Sequence, residues 1–169
     1  MDTVYAWSAG FIDGEGTISI KRFFRYRKDG SRYIYYQPFI SLSQAVVGNH
    51  EQGVIRMKEL FNGSISNWKE KSPSKRYSTM QWSVVSMDAL ECIKLIYPHL
   101  VVKKKNADLV IRFFEERTKN TGGSGKIKLT QEEQTKRENL FHESRLLNQK
   151  GKLHLQRLNE VTPKGDVIV

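Results

Sequence analysis

With 169 residues, 38% of them hydrophobic and 11% aromatic, the chain is long enough to bury its own core and too apolar to be a disordered tract. Its 28 Lys and Arg against 18 Asp and Glu leave a net charge of +10, which points to a polyanionic partner, nucleic acid before membrane. A single cysteine, Cys92, excludes a disulfide framework and a cysteine zinc site and fits an intracellular, reducing compartment, while no apolar run approaches the ~20 residues of a membrane span. The first residues show neither a secretory nor a transit pattern.

In chain order, Thr3 to Asp13 reads as a short apolar helix ended by Gly14. Thr17 to Arg27 is β-branched and aromatic, Lys28-Asp29-Gly30-Ser31 is a turn, and Arg32 to Gln44 is a second strand, so the pair makes a long hairpin. Glu51 to Phe61 repeats apolar residues at helical spacing and stops at Asn62-Gly63. Ser64 to Lys71 and Arg76 to Ser86 form a second hairpin around Ser72-Pro73-Ser74. Asp88 is placed to cap a helix from Ala89 to Tyr97 that Pro98 breaks, and Lys105 to Arg117 is a further helix.

Gly122-Gly123-Ser124-Gly125 marks a flexible connection over 122–129. After it, Thr130-Gln131-Glu132-Glu133 has the capping-box spacing of a helix reaching Asn148. From Gly151 the chain is basic and poorly patterned. The sequence thus divides into a core over 1–121, the connection over 122–129, and a C-terminal helix with its basic tail over 130–169, all in one domain. Hairpins separated by helices predict an α+β layer, an antiparallel sheet backed by helices.

Alternation sorts the strand residues into two faces. Ile18 and Ile20, Ile40 and Leu42, and Met80, Trp82 and Val84 mark the inner face. The outer one then carries Thr17, Ser19, Lys21, Phe23, Arg25 and Arg27 from the first strand, and Tyr33, Tyr35, Gln37, Phe39, Ser41 and Ser43 from the second. The fourth strand adds Tyr77, Thr79, Gln81 and Ser83. With Arg32, Lys69 and Lys105, this polar, basic and aromatic set is a candidate DNA-binding surface, because Arg, Gln and Ser reach base edges in a major groove. Any antiparallel sheet with one wet face alternates in the same way, so the pattern alone names no ligand.

The stretch AWSAGFIDGEGTIS, Ala6 to Ser19, is more specific. Each of Gly10, Gly14 and Gly16 costs a helix about 1 kcal/mol relative to Ala, so a backbone must approach something closely there. Asp13 and Glu15 then stand at a helix end. SAGFIDGEGTI resembles the signature of the LAGLIDADG homing endonucleases, and the order of elements from Thr3 to Lys119 resembles that family's αββαββα core. PHLVVKKKNADLVIRFFEE, Pro98 to Glu116, resembles the segment after its fourth strand. Two positions depart from the usual motif: Ser8 stands where a leucine is common, and Glu15 where Asp is common. The chain carries one copy of the motif.

The resemblance implies a homodimer formed through the motif helix, with Ala6, Gly10, Asp13 and Gly14 at the interface. Ala6, Gly10 and Gly14 recur every four residues, so two such helices can meet backbone to backbone. A two-fold axis would then bring one Glu15 from each subunit together, a pair that a hard cation neutralises, Mg²⁺ with Mn²⁺ as a substitute. By the resemblance Glu15 is the principal metal ligand, assisted by the Gly14 carbonyl, and Asp13 is a structural acid that caps or bridges. Lys103 matches the family's basic residue near the scissile phosphate, and Lys105 is a further phosphate contact. Gln44 is the candidate for orienting water, with Asn49 as competitor because the connection from Ala45 to Gln52 looks long.

The implied activity is site-specific cutting of both strands of double-stranded DNA at a long pseudo-palindromic site, leaving staggered ends, by a protein carried in a mobile intron or intein. The alternative is a catalytically inactive relative, an intron RNA maturase or a DNA-binding regulator. Retention of Glu15 and Lys103 favours the enzyme. His50, His99, His142 and His154 lack metal spacing and read as surface or packing residues.

Overall fold

The opening helix does not stop at Gly14. In a computed structural model, which describes residues 2–68, 78–116 and 130–149, helix α1 spans Asp2–Glu15 and passes directly into strand β1, Gly16–Tyr26. Gly14 lacks the left-handed backbone that ends a helix, so the helix continues through it. The turn into the strand falls on Gly16, where a Cβ would lie 2.8 Å from the Ile12 carbonyl oxygen and 2.9 Å from its Cα. Only glycine lets the strand leave its own helix this closely.

The remaining elements are β2 (Arg32–Ala45), α2 (Glu51–Phe61), β3 (Ser64–Trp68), β4 (Thr79–Val85), α3 (Ser86–Ile96), a single 3₁₀ turn (Tyr97–His99), α4 (Lys104–Glu115) and α5 (Gln131–Leu147). The strands form one antiparallel sheet in the order β1-β2-β4-β3. Its register pairs Gly16 with Leu42 and Tyr26 with Arg32, so Ile18, Ile20, Ile40, Leu42, Trp82 and Val84 all face the helices. Ala9 and Ile12 of α1, Val54 and Met57 of α2, Ile93 and Ile96 of α3, Val110 of α4 and Leu140 of α5 close over them. This is the α+β layer that the alternation predicts.

Trp82 is fully buried, and its indole N–H donates to the Asn62 carbonyl at 2.7 Å. Asn62 and Gly63 both have positive φ, and a Cβ at Gly63 would stand 2.4 Å from the Ser83 oxygen, which fixes the end of α2 against the sheet.

The start of α3 differs from expectation. Its N-cap is Val85, without a side-chain hydrogen bond, and Asp88 lies inside the first turn instead of capping. Strand β4 runs straight into the helix through Ser86, whose φ is 54° and whose hydroxyl accepts from Gln37 Nε2 at 2.9 Å. A cross-strand anchor replaces the local cap, and Asp88 is left to complement the helix dipole. Pro98 sits within the 3₁₀ turn that follows. Thr130 does cap α5, accepting from the Glu133 N–H at 3.2 Å. Lys69, Tyr77, the connection over 122–129, His154 and the basic tail lie outside the described residues. No described helix is long and apolar enough to cross a membrane.

Candidate active site and nucleic-acid interface

The helix-free face of the sheet carries the odd-numbered positions of β1, β2 and β4, and none of them is acidic. Cations and rings alternate across the β1–β2 hairpin. The Lys21 ammonium lies 3.1 Å from the Phe39 ring centre, Arg25 is 4.7 Å from Tyr35, and Arg27 is 5.1 Å from Tyr33. Phe23 stacks on Tyr35 with ring centres 5.1 Å apart. Burial pulls the Lys21 pKa below its ordinary value, yet no carboxylate faces it from its neighbouring strand β2. Ser19, Thr79 and Gln81 share this face half-buried, and Gln37 is tied to Ser86.

Two expected contacts are revised. Ser41 is on this face but only 6% exposed, hemmed in by its strand partners Thr17 and Ser83. Arg32 pairs with Tyr26 and therefore belongs to the opposite face, where its guanidinium stacks 3.7 Å from the Phe24 ring centre. Strand alternation removes it from the reading surface. Lys105 is exposed in the first turn of α4, off the sheet.

At the other end of β1, α1 delivers Asp13, Gly14 and Glu15. Asp13 turns inward. Its carboxylate accepts from the N–H groups of Val101 (2.7 Å), Val102 (3.1 Å) and Lys103 (2.8 Å), and so holds the start of α4. Burial lifts its pKa, but those three donors and the Lys103 charge outweigh that and keep it below the ordinary 3.8. The Lys103 ammonium in turn donates to the Asp13 carbonyl oxygen. The acid expected at an interface is thus engaged within its own chain.

Glu15 is exposed as the last residue of α1, and among the described residues no hydrogen bond or ion pair reaches it. The last turn of α1 carries no basic residue, so the negative end of the helix dipole and the Glu15 charge add together. A carboxylate at a helix C-terminus, with no His or Cys grouped beside it among the described residues, suits a hard divalent cation. The described residues of one chain hold no cluster of three or more His, Cys, Asp or Glu. Gln44 lies at the end of β2, two residues past Leu42, the partner of Gly16; it shares the even, helix-facing parity and is half-buried opposite Met80, so it belongs to the end of the strand near α1 and not to the reading face. Asn49 is exposed beyond the end of β2, in the turn before α2.

Around Gly10 and Gly14 there is open space: a Cβ at either would meet nothing within 4 Å. Ala6 is exposed beside them, and Trp7 is 43% exposed. Nothing among the described residues accounts for glycine at those two positions, in contrast to Gly16. Of the histidines, His50 is exposed, while His99 and His142 each lie 2.9 Å from an acid, Asp2 and Glu138. Burial drives the Cys92 thiol far above its ordinary pKa and leaves it inert.

The role of α5 had no signal in the sequence. It lies along the free edge of β1, where the Ser144 hydroxyl accepts from the Ile20 N–H at 2.9 Å and Asn148 Nδ2 donates to the Ile18 carbonyl at 3.0 Å. Asn106 of α4 donates to the same carbonyl. Glu138 reaches both strands of the hairpin, accepting from Arg22 at 2.5 Å and from the Tyr36 hydroxyl. Burial and then the Glu138 hydrogen bond and charge push the Tyr36 pKa up to about 12. These partners are more than a hundred residues apart in sequence, beyond any local pattern.

A family model described as LAGLIDADG endonuclease matches residues 8–113. No curated protein matches the chain. Among solved structures it is similar to the homing endonuclease I-CvuI in complex with its target in the presence of calcium, at 18% identity and a TM-score of 0.64 over 89% of this chain and 85% of that one. It is also similar to the archaeal intron-encoded homing endonuclease I-Vdi141I complexed with DNA, at 18% and 0.62 over 89% and 87%. The homing endonuclease I-TnaI matches at 18% and 0.59 over 94% and 97%. At such identity these likenesses concern the fold. The family match covers most of the motif helix, the whole sheet and the Asp13–Lys103 junction, and the chain therefore belongs to the LAGLIDADG endonuclease family.

Proposed function

We propose that this protein is a site-specific, divalent-metal-dependent DNA endonuclease that works as a two-fold homodimer. The observation that carries the reading is the end of α1, where an exposed carboxylate stands on a helix whose Gly10 and Gly14 positions meet, within 4 Å of a Cβ, nothing among the described residues. Beside it lies a sheet face rich in cations and, among the described residues of β1, β2 and β4, without acids. In the dimer, α1 of one protomer packs on α1 of its partner over Ala6, Gly10 and Gly14. The two Glu15 carboxylates then approach each other, and their mutual repulsion is relieved by Mg²⁺.

Glu15 and the Gly14 carbonyl of each protomer would hold the cation. The chemistry such a cation would supply there is neutralisation of charge on the scissile phosphates and a lower pKa for bound water. Lys103, steadied by Asp13, stabilises negative charge that develops on the phosphate, and Gln44 orients the attacking water. Lys21, Arg25 and Arg27 contact the phosphate backbone, while Ser19, Gln81 and the aromatic side chains face base edges. The two-fold axis makes the target pseudo-palindromic.

The test is incubation of a partly palindromic duplex library with Mg²⁺, followed by sequencing of the ends, beside Glu15→Gln. Discrete staggered ends that vanish in the variant support the endonuclease. Duplex binding without cutting, across Mg²⁺ and Mn²⁺, assigns the protein to the regulator class, and selective retention of structured RNA over duplex to the maturase class.

A further inference from the structure

Nearly every side chain on the reading face can donate or accept a hydrogen bond, as Thr17, Ser19, Gln37, Ser43 and Gln81 do. Phe23 and Phe39 interrupt that series. Phe23 stands directly opposite Tyr35 in the register, with ring centres 5.1 Å apart and planes 19° from parallel, and both rings are half-buried instead of covered. Cations flank this apolar island on both sides along the hairpin. Arg25 lies 4.7 Å from the Tyr35 ring on the distal side, and Lys21, over Phe39, lies on the proximal side. Phe39 on the same face is covered by the Lys21 ammonium, so the Phe23–Tyr35 pair offers a greasy spot between two positive ones.

Of the groups that a major groove presents, hydrogen-bond donors and acceptors make up all but one. The exception is the C5-methyl group of thymine. We propose that the Phe23–Tyr35 pair reads a thymine methyl in each half of the target, an assignment that rests on the DNA-binding function above. The flanking cations fix the hairpin on the phosphates, and the ring edge of Phe23 takes the methyl out of water. Strand geometry also sets the position. At about 3.3 Å per strand residue and about 3.4 Å per base pair, Phe23 lies about six to eight base pairs from the point where the two motif helices meet. A cross-strand aromatic pair also strengthens a hairpin, which is the bland explanation of the same contact.

Base substitution separates the two. A duplex selected for binding from a random library is remade with deoxyuridine in place of each thymine in turn, since uracil pairs identically and lacks only the methyl. One thymine per half-site, in the stated interval, should lose about fourfold in affinity on replacement, and about fifteenfold when both halves are changed, the scale of one buried methyl per half. Phe23→Ser should abolish that difference between the two duplexes. Phe23→Leu, which keeps an apolar contact and the fold, should preserve it. Uridine that is neutral throughout the interval, or a penalty unchanged in Phe23→Ser, overturns the proposal and leaves DNA binding standing. If no duplex is selected at all, the DNA-binding function fails first, and this inference falls with it.

Discussion

Asp13 and Lys103 are 90 residues apart in sequence and joined twice in space. The Lys103 N–H donates to the Asp13 carboxylate at 2.8 Å, and the Lys103 ammonium donates to the Asp13 carbonyl oxygen. The last turn of α1 is thereby fastened to the first turn of α4. Wherever Glu15 goes, Lys103 goes with it.

Removing the acceptor should show this. Asp13→Ala leaves three backbone N–H groups without their carboxylate and should cost about 1–3 kcal/mol of stability by urea unfolding. The pH dependence has a definite sign. Because the folded pKa of Asp13 lies below 3.8, its contribution is present above that value and fades as pH falls through the lower folded one. Acid titration of Asp13→Asn should therefore lose less stability below pH 3.8 than the parent.

The glycines of α1 should separate assembly from folding. A Cβ at Gly10 meets nothing within 4 Å among the described residues, so in Gly10→Leu the thermal transition of the monomer should hold while sedimentation shows loss of dimer mass. Gly16→Ala forces a Cβ to 2.8 Å from the Ile12 oxygen and should cost about 1–3 kcal/mol at any protein concentration. A Gly10→Leu protein of unchanged dimer mass would remove α1 from the interface.

Ser144→Ala should loosen one strand edge. It strips the partner from the buried Ile20 N–H, at a cost of about 1–3 kcal/mol. Amide exchange at Ile20 should accelerate more than at residues of β4, which lies away from α5. Uniform acceleration would show that the hydroxyl matters only to global stability.

Tyr36 reports on Glu138. In the parent its phenolate absorbance should rise near pH 12, and in Glu138→Gln the midpoint should move toward the ordinary 10.0. A raised pKa stabilises the fold below pH 10.0 and loses that contribution as pH climbs through about 12, so the variant should lose less stability across this window.

Salt tests the reading face. Each neutralised phosphate adds about −0.9 to the slope of log affinity against log salt, so replacing Arg25 by Gln should make the slope shallower by about 0.9 per protomer. An unchanged slope would take Arg25 off the phosphate backbone.

What the sequence shows and what it hides follow from distance along the chain. Alternation over Ile18, Ile20, Ile40 and Leu42 makes the sheet faces legible, because a period of two needs no partner to be read. Helix α2 ends where its apolar spacing and Asn62-Gly63 place it. Local rules fail where a distant group overrides them. Asp88 has the chemistry of a cap, yet Gln37 holds Ser86 and moves the helix start earlier. Arg32 has the charge of a DNA contact, but its parity turns it away. In the candidate site the motif marks Glu15 and Asp13, whereas the inward turn of Asp13 depends on residues 101–103 and is invisible locally.

The clasp that α5 makes on β1 divides the labour of that strand by parity. Ile18, Ile20 and Arg22 answer to the helices, while Ser19, Lys21, Phe23 and Arg25 answer to whatever lies on the other side. Mutational drift can then rewrite an address without eroding the scaffold that carries it. A lineage, or a combinatorial library randomised at those four odd positions, can search for new targets while the hairpin stays folded. Randomising their even neighbours would destroy the reader before it met any target.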